Sequence, residues 1–192
     1  MLPLAPSDIS NLHDYELERA AFRARVVELK SRRRVPLGPM MSIVFENRDT
    51  VRFQIQEMLR VERIVELEKV AHEIATYNAL LPGPGEVAAT LFIEITDPDR
   101  VREVLDGFIG LDQPGRVVLR VGGRRVAARF DPAQSREDRI SAVHYIRFAL
   151  GGEGAAALRR GEEASLEVAH GGYRATQALP GETVEELLRD LD

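Results

Sequence analysis

Glu46-Asn47-Arg48-Asp49-Thr50-Val51-Arg52-Phe53-Gln54-Ile55-Gln56-Glu57-Met58-Leu59-Arg60-Val61-Glu62-Arg63-Ile64 carries two ordered faces on one predicted helix. At about 100° per residue, Val51, Ile55, Met58, Leu59 and the following Val65 form an apolar side that packs on a core. Arg52, Gln56, Arg60 and Arg63 line a separate stripe. Arginine is a planar, permanently charged fork suited to carboxylate or phosphate, so a row of them needs acidic partners. Two sources are open: Glu46, Asp49, Glu57 and Glu62 inside the fold, with buried Gln54 and Gln56 completing a structural polar network, or an anion from outside.

Outward from that helix, the chain reads as α+β. An N-terminal helix capped by Ser10 or Asp14 runs to about Arg32, with Tyr15, Phe22, Val26 and Leu29 as its core stripe. Ala20, Ala21 and Ala24 make a second, small-residue face suited to close helix packing, compatible with self-association as a homodimer. Val35-Pro36-Leu37-Gly38-Pro39 stops that helix, and Met41–Phe45 is a short strand. Asn47 or Asp49 caps the long helix, which continues, with or without a break, to about Leu80.

Leu81-Pro82-Gly83-Pro84-Gly85-Glu86 suits neither helix nor strand and separates a mainly helical region, 1–82, from an α+β region, 86–192. The second region reads as strands at 87–95, 116–121, 124–130, 140–150, 164–169 and 173–179. Gly122-Gly123 and Gly171-Gly172 provide the positive φ that two-residue hairpins need, so antiparallel pairing is expected. Helices are expected at 98–109, 155–160 and 182–191. The fold expectation is two long N-terminal helices packed on a mainly antiparallel sheet with short helices.

Composition narrows the chemistry. With 192 residues the chain spans one domain or two small ones, and 44% hydrophobic with 30% charged residues is the profile of a soluble globular protein. No apolar run approaches the roughly 20 residues that cross a bilayer, and Met1–Asp8 lacks the basic start and apolar stretch of a secretion signal; the default expectation is a cytoplasmic location without membrane contact. The absence of cysteine removes disulfides, thiolate nucleophiles, zinc ribbons and cysteine-held iron–sulfur clusters. Only Lys30 and Lys69 are lysine among 26 basic residues, as a GC-rich genome produces. Residues 1–81 hold twelve basic and twelve acidic side chains, so the net charge of −5 falls on residues 82–192. Neither half has the basic excess that nucleic-acid binding demands.

Reaction motifs are missing. There is no Gly-x-x-x-x-Gly-Lys phosphate loop, no Gly-x-Gly-x-x-Gly and no Gly-x-Ser-x-Gly elbow, and Gly151-Gly152-Glu153-Gly154 reads as a loop. His72-Glu73-Ile74-Ala75-Thr76 begins like a zinc-protease helix but has Thr76 where the second histidine must stand. Glu62, Glu66 and Glu73 fall along one line of the extended helix with His72 nearby, the residues a carboxylate metal site would use, although Lys69 sits among them. His144 reads as a hydrogen-bonded structural histidine in its strand, His170 as an exposed residue before a turn; neither they nor His13 belong to a nucleophile motif. Arg32-Arg33-Arg34 reads as a solvated helix end favoured by the helix dipole, or as part of one anion-binding surface with Arg48, Arg52, Arg60 and Arg63.

Arg32-Arg33-Arg34-Val35-Pro36-Leu37-Gly38-Pro39, Phe45-Glu46-Asn47-Arg48-Asp49-Thr50-Val51 and Gln54-Ile55-Gln56-Glu57-Met58-Leu59-Arg60 resemble a bacterial family of unknown function, DUF3501. Val143-His144-Tyr145-Ile146-Arg147-Phe148 and the Tyr173-containing hairpin extend the resemblance over nearly the whole chain. Such proteins tend to be encoded beside rubrerythrin-like proteins and iron–sulfur oxidoreductases, which implies a supporting role in peroxide defence or electron transfer. The resemblance supplies no catalytic residue and no cofactor. The leading expectation is a non-catalytic accessory module in which Arg34, Glu46, Asn47, Arg48, Arg52, Gln56, Arg60 and Arg63 dock an acidic protein partner, such as a redox protein. The rivals are a metalloprotein using Glu62, Glu66, His72 and Glu73, and a sensor of small anions or nucleotides using Arg34, Arg48, Arg52 and Arg60.

Overall fold

Strand alternation and two helix faces organise the molecule. The computed structural model describes residues 1–134 and 139–191. In chain order the elements are α1 (Leu12–Arg33), β1 (Arg34–Pro36), β2 (Met41–Glu46), α2 (Arg48–Glu62), α3 (Leu67–Asn78), β3 (Glu86–Ile93), α4 (Val101–Asp106), β4 (Val117–Val121), β5 (Arg124–Ala127), β6 (Arg129–Phe130), β7 (Val143–Ala149), α5 (Gly151–Arg159), β8 (Ala164–His170), β9 (Tyr173–Ala178) and α6 (Gly181–Leu191), with short 3-10 turns at Pro6–Asp8, Pro98–Arg100 and Pro132–Gln134. The fold is α+β, with two antiparallel sheets in the orders β1-β2-β3-β7-β6 and β5-β4-β8-β9.

β2 is the pivot, because both of its faces are buried. Side chains alternate across a strand, so Met41, Ile43 and Phe45 enter the main core with Val87, Ala89, Leu91 and Ile93 of β3 and Ile146 and Phe148 of β7. The four-stranded sheet closes that core with Val117, Leu119, Val121, Leu166 and Val168. Ser42, Val44 and Glu46 point the other way, on the face that the register shares with Ala88, Thr90 and Phe92 and with Val143, Tyr145 and Arg147. The helices α1, α2 and α3 belong to this second face. β2 pairs with β3 from Met41↔Ile93 to Glu46↔Ala88, so a single sheet draws strands from both sides of the Pro-Gly punctuation.

Within the helices, Val51, Ile55 and Leu59 of α2 pack with Leu4, Ile74 and Leu81, while Tyr15, Phe22 and Val26 of α1 pack with Phe53. The two glycine hairpins form as the sequence indicates, β4–β5 and β8–β9, with Gly122 at φ 56° and Gly171 at φ 53°.

Several boundaries differ from the sequence reading, each for a local reason. Asn11, not Ser10 or Asp14, caps α1, its side-chain oxygen accepting the Asp14 backbone N–H. Of the two forms expected for the long helix, the broken one is found: Arg63 takes the left-handed conformation at φ 52°, and Arg63 N–H bonds to the Leu59 and Arg60 carbonyls. Val65 therefore lies beyond α2 and is exposed at 67%. Gly151–Gly154 opens α5 and is no loop; Gly151 N–H bonds to Gly85 C=O, and Gly154 N–H to Leu150 C=O. The run 124–130 divides at buried Ala128, β5 serving one sheet and β6 the other. Ala20, Ala21 and Ala24 are exposed.

Candidate functional site

The polar stripe of α2 is laid along the seam with α1 and the N-terminal segment, and most of its donors are engaged there. Gln56 is fully buried: its carbonyl accepts the Ser10 N–H at 2.6 Å and its amide donates to the Ser10 C=O at 3.2 Å, replacing a backbone pairing. Arg48 pairs with Asp8 at 2.6 Å. The Asp8 carboxyl is held below its ordinary range, first by the Ala5 N–H and then by Arg48. Arg60 reaches Glu57 at 3.3 Å, and Glu57 is also gripped by the Arg19 fork at 2.7 and 2.8 Å and by the Tyr15 hydroxyl at 2.8 Å. Those donors, Arg19 foremost, pull the Glu57 carboxyl down to about 2 against the opposing effect of burial. Burial, with Glu57 second, pushes the Tyr15 phenol up.

The other residues of the expected docking set divide. Arg63 has left the helix as its left-handed cap. Asn47 caps α2, accepting the Asp49 and Thr50 N–H groups while Thr50 Oγ1 accepts the Asn47 N–H. Arg34, on β1, donates to Ser42 and Glu94 and lies over the Phe92 ring at 5.2 Å. Arg52 lies against an aromatic ring of α1. Its guanidinium lies 5.1 Å from the Phe22 ring centre, with that of Arg25 5.5 Å from the same ring. Among the described residues no carboxylate comes within ion-pair distance of either, and the buried Arg52 Nε has no hydrogen-bond partner.

Arg32-Arg33-Arg34 is neither a solvated helix end nor one anion surface, because Arg33 is wholly buried. Its guanidinium donates to Asp190 at 2.7 and 2.9 Å and to Glu186 at 3.2 Å. Glu186 also accepts Arg32 at 3.2 Å and Arg189 at 2.6 Å, and Thr183 donates its hydroxyl to the Arg32 C=O at 2.7 Å. Glu186 and Asp190 are four residues apart, hence on one face of α6. Burial raises the Asp190 carboxyl even with Arg33 beside it. This clamp joins the end of α1 to the C-terminal helix.

The break after α2 removes the continuous line of carboxylates. Glu62 ends α2, Glu66 precedes α3 and pairs with Lys69 at 3.1 Å, and His72 is exposed on α3. Among the described residues no three His, Asp or Glu side chains gather as a metal site would require. His144 is buried, its Nε2 donating to the Ser141 C=O at 2.8 Å, and burial lowers its pKa. His170 is half-buried beside Phe108 and not exposed.

Sequence reasoning missed Tyr145. It stands opposite Thr90 on the helix-side face of the larger sheet and takes part in two adjoining clefts of about 420 Å³ each. One opens toward Glu46, Leu80, Ala88, Phe130 and Arg147; the other runs between the sheet and α2, past Phe53, Gln54, Met58 and Phe92. Glu46 is 3% exposed and accepts hydrogen bonds from the hydroxyls of Thr90, at 2.6 Å, and Thr50, with the Gln54 amide at 3.4 Å. The signal was present in the alternation of 143–148, where His144, Ile146 and Phe148 take the core side and leave Tyr145 and Arg147 opposite. Burial, then the charges of Glu46 and Asp131, push the Tyr145 phenol upward.

Among the described residues no helix is long and apolar enough to cross a membrane. No curated protein matches the chain. A crystal structure of a protein of unknown function from Burkholderia pseudomallei is similar at 32% identity over 100% of both chains, with a TM-score of 0.92. The family model described as protein of unknown function (DUF3501) matches residues 3–191, and the chain belongs to that family.

Proposed function

We propose that this protein is a non-catalytic, cytoplasmic interaction module that docks an acidic protein partner, working beside a rubrerythrin-type peroxide-defence or electron-transfer system. One observation carries the reading: Arg25 and Arg52 converge on Phe22, and among the described residues no carboxylate lies within ion-pair distance of either. Their neighbours Arg48 and Arg60 each have one, so the docking surface contracts from the whole stripe to the outer edge of the α1–α2 seam. Two guanidiniums fixed by an aromatic ring lose little freedom when they meet a carboxylate. The redox setting rests on the family resemblance alone.

The test is surface plasmon resonance against the purified rubrerythrin-like protein of the same genome. Wild-type protein binds in a salt-sensitive manner. The double variant Arg25→Glu/Arg52→Glu loses about tenfold or more in affinity and still melts cooperatively. Equal binding by the double variant removes the docking role; loss of cooperative melting assigns the two arginines to the fold.

A further inference from the structure

Glu46 is a buried carboxylate whose hydrogen-bond donors are all neutral. Thr50 and Thr90 supply hydroxyls and Gln54 a long amide contact, and among the described residues no cation lies within ion-pair distance. A carboxylate has about four acceptor positions, and an ionised one withdrawn from water without a counter-charge is costly. The nearby cations are committed elsewhere: Arg147 donates to Glu86 and to the Leu81 and Ala79 carbonyls, and Arg129 pairs with Glu86. Glu86 thereby offsets one of the two positive charges, Arg129 and Arg147, that line the first cleft.

That cleft makes the carboxylate reachable. Glu46 lies on its wall, Tyr145 contributes an aromatic ring, and Leu80, Ala88 and Phe130 supply apolar surface. Among the described residues the Tyr145 hydroxyl has no hydrogen-bond partner. A volume of about 420 Å³ is within the range of small-molecule sites. The combination specifies a positively charged nitrogen with N–H donors for Glu46, a short apolar stem for the cleft walls, and an aromatic ring able to hold a cation. We propose that the cleft between Glu46 and Tyr145 binds a small organic cation, an alkylammonium or alkylguanidinium. The site lies on the sheet face, separate from the Phe22 docking edge, and does not depend on it.

Isothermal titration of the full chain with agmatine, 1,4-diaminobutane and the uncharged 1,4-butanediol tests the assignment. At least one of the two cations binds saturably below about 10 mM, and the diol does not. Glu46→Gln keeps an oxygen for one of the two threonine hydroxyls, places an amide N–H against the other, and weakens cation binding about tenfold or more. Ala79→Trp, at an exposed rim position that leaves Glu46 untouched, lowers it by a similar factor by blocking the cleft, and keeps the test decisive where Glu46→Gln disturbs folding. Absence of saturable binding by both cations, affinity unchanged in both variants, or diol binding as tight as the cations would each overturn the proposal.

Discussion

Arg33 and Glu46 are both withdrawn from water, at 0% and 3% exposure, yet their surroundings are opposites. Arg33 meets two carboxylates of α6, whereas Glu46 meets two hydroxyls and an amide beside an open cleft. The charge at the α1–α6 seam is answered within the chain, although the buried Arg33 Nε has no hydrogen-bond partner among the described residues. The helix-side face of the larger sheet has acceptor capacity left over. Buried charge alone therefore does not distinguish architecture from function; the test is whether its complement comes from the same polypeptide.

The contrast is broken most forcefully at Arg33. Arg33→Met keeps the bulk of the stem and strands Glu186 and Asp190 without their central cation, and urea unfolding should show a loss of about 3–5 kcal/mol. Adding Glu186→Gln and Asp190→Asn to the same chain should recover a large part of it, because the penalty comes from the unpaired charges.

The α2 seam tests the same principle without a net charge. Gln56→Ala leaves the Ser10 N–H and C=O short of their partners in a part-buried place, and chemical denaturation should report a loss of about 1–3 kcal/mol. A larger loss than at Arg33 would reverse the ranking of the two seams.

A smaller effect, with a defined pH window, belongs to Glu57. Its carboxyl is depressed from 4.5 to about 2 in the folded state, so the folded chain binds fewer protons there than the unfolded one. The stabilisation is present above about 4.5 and is lost as pH falls toward 2. Glu57→Gln should cost about 1–2 kcal/mol at pH 7, at the modest end for charge-assisted bonds because the group is partly in water. Thermal melts of the two proteins should converge across that acid interval. A constant difference at every pH would show that packing of the side chain, and not its charge, is what matters.

The contrast also explains which parts of the molecule were legible beforehand. Helix α2, the two glycine hairpins and the core stripe of α1 follow from periods of 3.6 and 2 and from turn chemistry, all short-range. The family resemblance was readable for a similar reason, being carried by contiguous words such as Phe45-Glu46-Asn47-Arg48. Gln56 was legible as a member of the stripe, but its partner Ser10 lies 46 residues away. Arg33 looked like surface because its counter-charges stand on α6, more than 150 residues later. Tyr145 was passed over because one strand position carries no signal until Thr90 and Glu46 are placed beside it.

By itself, the sequence determined the α+β class, the places where helices and hairpins form, and the absence of cysteine chemistry, because these depend on residue type and local spacing. Tertiary structure alone decided which charges are answered inside the chain. An ion pair or a cleft is a relation between distant segments, and its energy depends on burial and distance, which no linear pattern contains.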